Sequence, residues 1–334
     1  MEKGFNSTIN PETLEIDSDL YGKFPWHHEI NIEKVIHKIS QAEDTGTLHK
    51  FRVSFDDEMM LGLNYYQAEK PASDMPVVIT PALATGLHGR NHNIQKKLSE
   101  IGLSSLLIGT PGSERDSIVS EISKTLGNPR KMINEIKAIS LARHAAYVQE
   151  ITRNADLFEL NNEAVLGYGE SRGAMILLGS IACQGLGNPK IVEPIAVAPC
   201  YIKPFDKDRV MDFTSQVIKE ITSIGQVIGN LSINGLCTLN PSPKSILYEI
   251  GHIPTLFNGD TGHFASKIPG EQILTIIAFD QDVSGQAGEW IEALPRNKYP
   301  NINIEIIPGN HLSIARQSTL DYVITKFKSI INNF

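Results

Sequence analysis

The chain has 334 residues, 41% of them hydrophobic, enough for a sizeable core in one large domain or in one domain with an inserted subdomain. Its formal net charge is −8, and its charged residues, 20% of the total, are scattered. That balance argues against a nucleic-acid binder with a clustered Lys/Arg face and against a protein of anionic membrane surfaces.

The start, "MEKGFNSTINPETLEID", lacks the apolar core of about 7–15 residues that a signal peptide carries. Residues 1–48 read as an extension, in which "INIEKVIHKISQAED" places Ile32, Val35, Ile36 and Ile39 on one face of an expected helix. "LHKFRVSF" and "MMLGLNYY" read as two early strands and "MPVVIT" as a short buried one. "NHNIQKKLSEI" is an amphipathic helix, "LSSLLIG" a strand, and "PRKMINEIKAISLARHAAYVQEITRNA" a long helix. The strand "EAVLGYG" and the helix "RGAMILLGSIAC" follow, then the strand "KIVEPIAVAP". The stretch "AMILLGSIAC" is the longest nearly uninterrupted apolar run and is about half of a membrane span. Later come "QILTIIAF" (strand), "QAGEWIEAL" (helix), "NINIEII" (strand) and the closing helix "SIARQSTLDYVITKFKSIINNF".

Apolar strands without period-two alternation, separated by helices, predict an α/β fold with a mostly parallel central sheet and helices on both faces. Residues 203–268 break the rhythm. Apolar positions 210, 213, 217, 221, 224, 228 and 231 form a helical stripe, and "NPSPK" and "NGDTGHF" then interrupt it. This reads as a helical cap inserted over the end of the sheet, with residues 49–202 and 269–334 as the core. The three cysteines, Cys183, Cys200 and Cys237, are odd in number and widely spaced, as free thiols in a reducing compartment are. A cytoplasmic protein is the expectation, and its oligomeric state is not legible.

The chemistry centres on "GYGESRG". A sharp strand-to-helix turn forces strained backbone angles on its middle residue, and Gly169 and Gly173 relieve crowding on either side. Ser171 would then stand above the sheet at the start of a helix, whose N–H groups favour incoming negative charge. A serine hydroxyl needs a base. His311, in "PGNHLS", follows the last strand and precedes the closing helix, a placement no other late histidine has. The base needs an orienting acid, and "AFDQD" offers Asp280 and Asp282 as the chain leaves the penultimate strand. The order is serine, acid, histidine.

On "GYGESRG", "AFDQD" and "PGNHLS" the chain resembles the α/β-hydrolase superfamily over roughly residues 50–334. The resemblance implies a nucleophile elbow at Ser171, a histidine loop at His311 and, by register with a Gly-x-x-Asp-like stretch, Asp282 as the acid in preference to Asp280. It also implies an oxyanion hole from the N–H of Arg172 and an N–H in the loop after "MPVVIT", where Leu83 is the positional match. Many relatives carry His-Gly there, and this chain has "TPALATG". "PALATG" is similar to the His-Ala-Leu-Thr-Gly stretch of homoserine acetyltransferases, from which Pro81 departs.

The function so implied is a serine esterase that takes a small-molecule carboxylic ester and needs no metal or organic cofactor. Acyl transfer by the same fold and a non-catalytic ligand-binding homologue are the alternatives. The Arg172 side chain is expected either to pair with Glu170 or a nearby carboxylate, or to bring a cation to the acyl pocket. Cys200, just past a strand, is expected near the site as a small apolar filler.

Overall fold

The computed structural model describes residues 36–55, 60–82, 87, 90–109, 141–158, 164–182, 190–200 and 272–333, with 215, 265, 268 and 270 singly. Four-residue runs such as Val77–Thr80 and Ser105–Ile108 are buried at every position. A strand buries both faces only inside a sheet covered on both sides, and that is the arrangement found. Nine strands form one sheet: β1 (Ile36–Asp44), β2 (Leu48–Phe55), β3 (Met60–Tyr66), β4 (Val77–Thr80), β5 (Ser105–Ile108), β6 (Ala164–Glu170), β7 (Lys190–Val197), β8 (Leu274–Phe279) and β9 (Ile302–Ile307). Their order is β1-β2-β3-β5-β4-β6-β7-β8-β9. β1, β2, β3 and β5 pair antiparallel in turn, and from β5 across to β9 every neighbouring pair is parallel.

The helices are α1 (Arg90–Glu100), α2 (Leu141–Arg153), α3 (Arg172–Ala182), α4 (Ala287–Ala293) and α5 (Gln317–Ile331). Alternate residues of each strand feed two separate cores. Val78 and Val165 pack with Tyr147 and Ile151 of α2, Met175 and Leu178 of α3 and Trp290 of α4. Val77, Ile79, Leu166 and Tyr168 pack with Ile94 and Leu98 of α1 and Leu320, Val323 and Phe327 of α5. Helices therefore cover both faces. β5 and β6 lie on opposite sides of β4, the kind of switch in strand order beside which open α/β sheets bind ligands, at the carboxyl ends of the strands.

One expectation is corrected. Residues 36–44, read as part of a helix, form β1, the edge strand antiparallel to β2. Register shifts between Ile36 and Lys38 and between Gln41 and Glu43 break the period-two pattern that marks a strand. The spacing of Ile36 and Ile39 then imitates a helical face. Residues 36–48 thus join the sheet instead of lying apart from it. The expected cap, 203–268, lies outside the described residues save for 215, 265 and 268, and so does Leu83. Among the described residues no helix is long and apolar enough to cross a membrane.

Candidate active site

β6, β8 and β9 run parallel, so the chain leaves all three at the same edge of the sheet. Ser171 follows β6 directly, Asp282 comes just after β8, and His311 comes just after β9. The sequence separates these residues widely, and the parallel topology brings their loops together.

Ser171 sits in the left-handed region at φ 52°, a conformation that costs a non-glycine residue of order 1–3 kcal/mol. Surrounding contacts hold it there. Its N–H donates to the Val197 carbonyl at the end of β7 at 2.8 Å. The Thr80 hydroxyl, at the end of β4, bonds the carbonyls of Tyr168 at 3.2 Å and Gly173 at 2.7 Å, one on each side of the turn. A Cβ at Gly169 would lie 2.7 Å from Ala174 Cα, and a Cβ at Gly173 would run into the Thr80 carbonyl oxygen. The two glycines are required because backbone passes where a side chain would start.

Ser171 Oγ lies 2.8 Å from His311 Nε2, and His311 Nδ1 lies 2.8 Å from Asp282 Oδ2. The structure thus brings together the three residues expected from the sequence, and it chooses Asp282 over Asp280 as the partner of the histidine. Ser171 and His311 are each 7% exposed and Asp282 1%. Burial works against the Asp282 charge, but the His311 ring and the Ser284 hydroxyl and amide outweigh it and hold the carboxyl below its ordinary value. An ionised Asp282 requires the hydrogen on Nδ1, which leaves Nε2 to accept the Ser171 hydroxyl.

The two loops are also tied to each other. Gly309 N–H donates to Asp280 Oδ1 at 2.8 Å, and Gln281 N–H donates to the Gly309 carbonyl at 2.9 Å. Asp280 therefore caps the loop that carries the histidine. Asn310 and Ser313 close a capping box around the short 3₁₀ helix His311–Ala315. Ser284 is a further member of the site that the sequence did not mark. Its hydroxyl donates to Asp282 Oδ1 at 2.6 Å and lies 2.8 Å from His311 Nδ1, and its N–H donates to the same Oδ1 at 2.8 Å. The available signal was a hydroxyl two residues after an aspartate, the spacing of an Asx turn.

The elbow's charged neighbours differ from expectation. Glu170 pairs with Arg90, not with Arg172. The Arg90 guanidinium grips both carboxylate oxygens, at 2.6 and 3.1 Å, and Tyr168 donates its hydroxyl to Oε1 at 2.5 Å. Glu170 ends β6 and Arg172 begins α3, on either side of the strained Ser171, whereas Arg90 opens α1. Arg172 is fully buried, and its Nη2 lies 3.3 Å from His144 Nδ1 on α2. An arginine only donates, so His144 accepts and is neutral. Burial, reinforced by the Arg172 charge, lowers its pKa well below the histidine range. The Arg172 guanidinium thus lies against α2, and this placement does not favour a cation facing an acyl pocket. Its backbone N–H begins α3, among the first-turn amides at the positive end of the helix dipole. Cys200 Sγ is 4.0 Å from Ser171 Oγ. Burial, then the Asp282 charge, push this thiol up to about 12, so it stays protonated and inert at neutral pH.

Neither family models nor curated proteins give a match to the chain. Solved structures do. The α/β hydrolase GrgF from Penicillium sp. sh18 is similar at 13% identity and a TM-score of 0.54, over 89% of this chain and 98% of that one. The enol-lactonase from Burkholderia xenovorans LB400 is similar at 10% identity and a TM-score of 0.55, over 81% and 97%. The Pyrococcus furiosus esterase Pf2001 is similar at 12% identity and a TM-score of 0.51, over 86% and 91%. The chain has the α/β-hydrolase fold, and at such identities the likeness carries the fold alone.

Proposed function

We propose that the protein is a serine hydrolase that cleaves a carboxylic ester through an acyl-enzyme intermediate. The observation that carries this reading is the unbroken chain from Ser171 Oγ through the His311 ring to Asp282, 2.8 Å at each link. An idle ligand pocket has no need of a strained serine aligned with a base and a buried carboxylate. The esterase and the lactonase of the same fold are consistent with it.

The chemistry follows from the geometry. His311 Nε2 takes the Ser171 proton as Oγ attacks the ester carbonyl. The N–H of Arg172, at the start of α3, is the first donor for the oxyanion that forms, and the N–H of Leu83, which lies outside the described residues, is the second donor expected from the sequence; one such donor is worth about 3–4 kcal/mol. Asp282 holds Nδ1–H in place and stabilises the imidazolium. Collapse of the tetrahedral intermediate breaks the ester C–O bond, and His311 returns its proton to the departing alcohol. Water then gives a proton to His311 as it attacks the acyl-serine; collapse of this second tetrahedral intermediate breaks the bond to Oγ, His311 returns the proton to Oγ, and the acid leaves with Ser171 restored. No step calls on a metal or an organic cofactor. Transfer of the acyl group to an alcohol or amine would share the first half of this sequence.

The test is a panel of p-nitrophenyl esters of increasing acyl length, run with wild-type protein and Ser171→Ala. Turnover of one or more esters by the wild type, abolished in the variant, is expected. No turnover of any ester, or turnover that survives the substitution, would remove the reading. Adding alcohols or amines to the same assay separates transfer from hydrolysis by the product formed.

A further inference from the structure

We propose that Ser284 is a positioning residue for the ester-cleaving site: its hydroxyl locks the Asp282–His311 pair into the geometry that proton transfer needs. The proposal rests on the serine-hydrolase reading given above. Three contacts carry it. Ser284 is fully buried, and both its hydroxyl and its N–H donate to Asp282 Oδ1, at 2.6 and 2.8 Å. This pair of donors occupies one carboxylate oxygen and turns the other, Oδ2, to the histidine. The third contact is between Ser284 Oγ and His311 Nδ1 at 2.8 Å. The ionised carboxylate fixes the hydrogen on Nδ1, and the Ser284 hydroxyl spends its own hydrogen on Oδ1. Ser284 Oγ is therefore a second acceptor for Nδ1–H.

A ring held by one acceptor can pivot about that bond. Two acceptors on different side chains, Oδ2 and Oγ, define a plane and pin the ring with Nε2 on Ser171. When His311 takes the Ser171 proton, Nδ1–H becomes part of a cation and both of its acceptors gain strength. The Ser284 contact to His311 is thus worth more in the transition state than in the resting enzyme, so its loss falls on kcat and not on KM.

A purely structural role makes a different demand. The turn after Asp282 is already closed by the Ser284 N–H, which an alanine keeps. If the hydroxyl only shaped the loop, its removal would leave kcat alone. The expected loss in Ser284→Ala is about 10- to 100-fold in kcat, the range of a hydrogen bond to a charged group, with KM within about twofold.

The decisive experiment is a double-mutant cycle on kcat, with one p-nitrophenyl ester, across wild type, Ser284→Ala, Asp282→Asn and the double variant. Because both side chains act through His311, Ser284→Ala should cost less than about threefold in the Asp282→Asn background. Equal losses in both backgrounds, a loss confined to KM, or an unchanged kcat would each overturn the proposal. If Ser284→Ala does not fold, Ser284→Gly, which also removes the hydroxyl and keeps the N–H bond to Asp282, enters the same cycle with the same expectations. Wild-type protein that neither turns over esters nor reacts with a fluorophosphonate at Ser171 would instead remove the underlying reading. That outcome is distinct from an active wild type with a silent Ser284.

Discussion

Ser171 Oγ and His311 Nε2 lie 2.8 Å apart but the two residues are held in place by different means. On the serine side the geometry is made by backbone. Ser171 is strained at φ 52°, Thr80 and Val197 bond the turn's main chain, and Gly173 leaves no room for a Cβ. Beneath it Glu170 is buried in the grip of Arg90 and Tyr168. On the histidine side the geometry is made by side chains. Asp280, Asp282, Ser284, Asn310 and Ser313 tie two loops across the ends of β8 and β9. A backbone-built turn is all or none, so injury there falls on folding. A network of side chains loses one bond at a time, so injury there is graded: it falls on rate where the bond meets Asp282 or His311, and on stability where the bond only ties the loops.

The two regions can be set against each other by substitution. The largest effect is expected on the histidine side. Asp282→Asn should lower kcat by roughly 10⁴-fold, through loss of the correct histidine tautomer, with little change in Tm; a kcat within tenfold of wild type would show that His311 is oriented by something else. On the serine side Glu170→Gln leaves the buried Arg90 without its full counter-charge and should cost about 3 kcal/mol of stability. Chemical denaturation measures this, and a collapse of kcat at unchanged stability would contradict the division drawn here. Asp280→Asn, which weakens the bond to Gly309 N–H, should cost about 1 kcal/mol of stability and leave kcat within several-fold. Near-complete loss of kcat there would move the orienting role from Asp282 to Asp280.

The smallest effect lies in the pH dependence of stability. Folding lowers the His144 pKa through burial and the Arg172 charge, so below about pH 6.5 the unfolded chain binds a proton at this position that the folded chain refuses. Stability therefore falls as pH drops from 7 to 5, by at most about 1.4 kcal/mol per pH unit from this group. Asp282, also depressed, adds stability that is present above about pH 4 and is lost only as pH falls through its lower folded value. Between pH 5 and 7 the Asp282 contribution is thus constant and leaves the slope to His144. His144→Gln, neutral throughout, should flatten the fall between pH 7 and 5 relative to wild type. Parallel stability curves for the two proteins would show that His144 takes up its proton in the folded state.

What the sequence disclosed follows the same division. Strands such as β4, β6 and β8 were legible because fully buried parallel strands read as apolar runs between helical stripes. The elbow was legible because its constraint is local, with glycines two residues either side of a serine. His311 and Asp282 were legible from their places after β9 and β8. β1 was not, because two register shifts hide its alternation. Nor were the partners of Glu170 and Arg172. Arg90 lies 80 residues from Glu170 and His144 lies 28 from Arg172, and no local pattern specifies such pairings. Ser284 carried only an Asx-turn spacing, a pattern common in loops.

A fluorophosphonate probe, read by intact mass and peptide mapping, reports whether His311 and Asp282 activate Ser171 as a nucleophile. One adduct per chain is expected, on Ser171, absent from Ser171→Ala and strongly slowed in His311→Ala. An adduct that persists in Ser171→Ala, or folded wild-type protein that forms none, would contradict this activation.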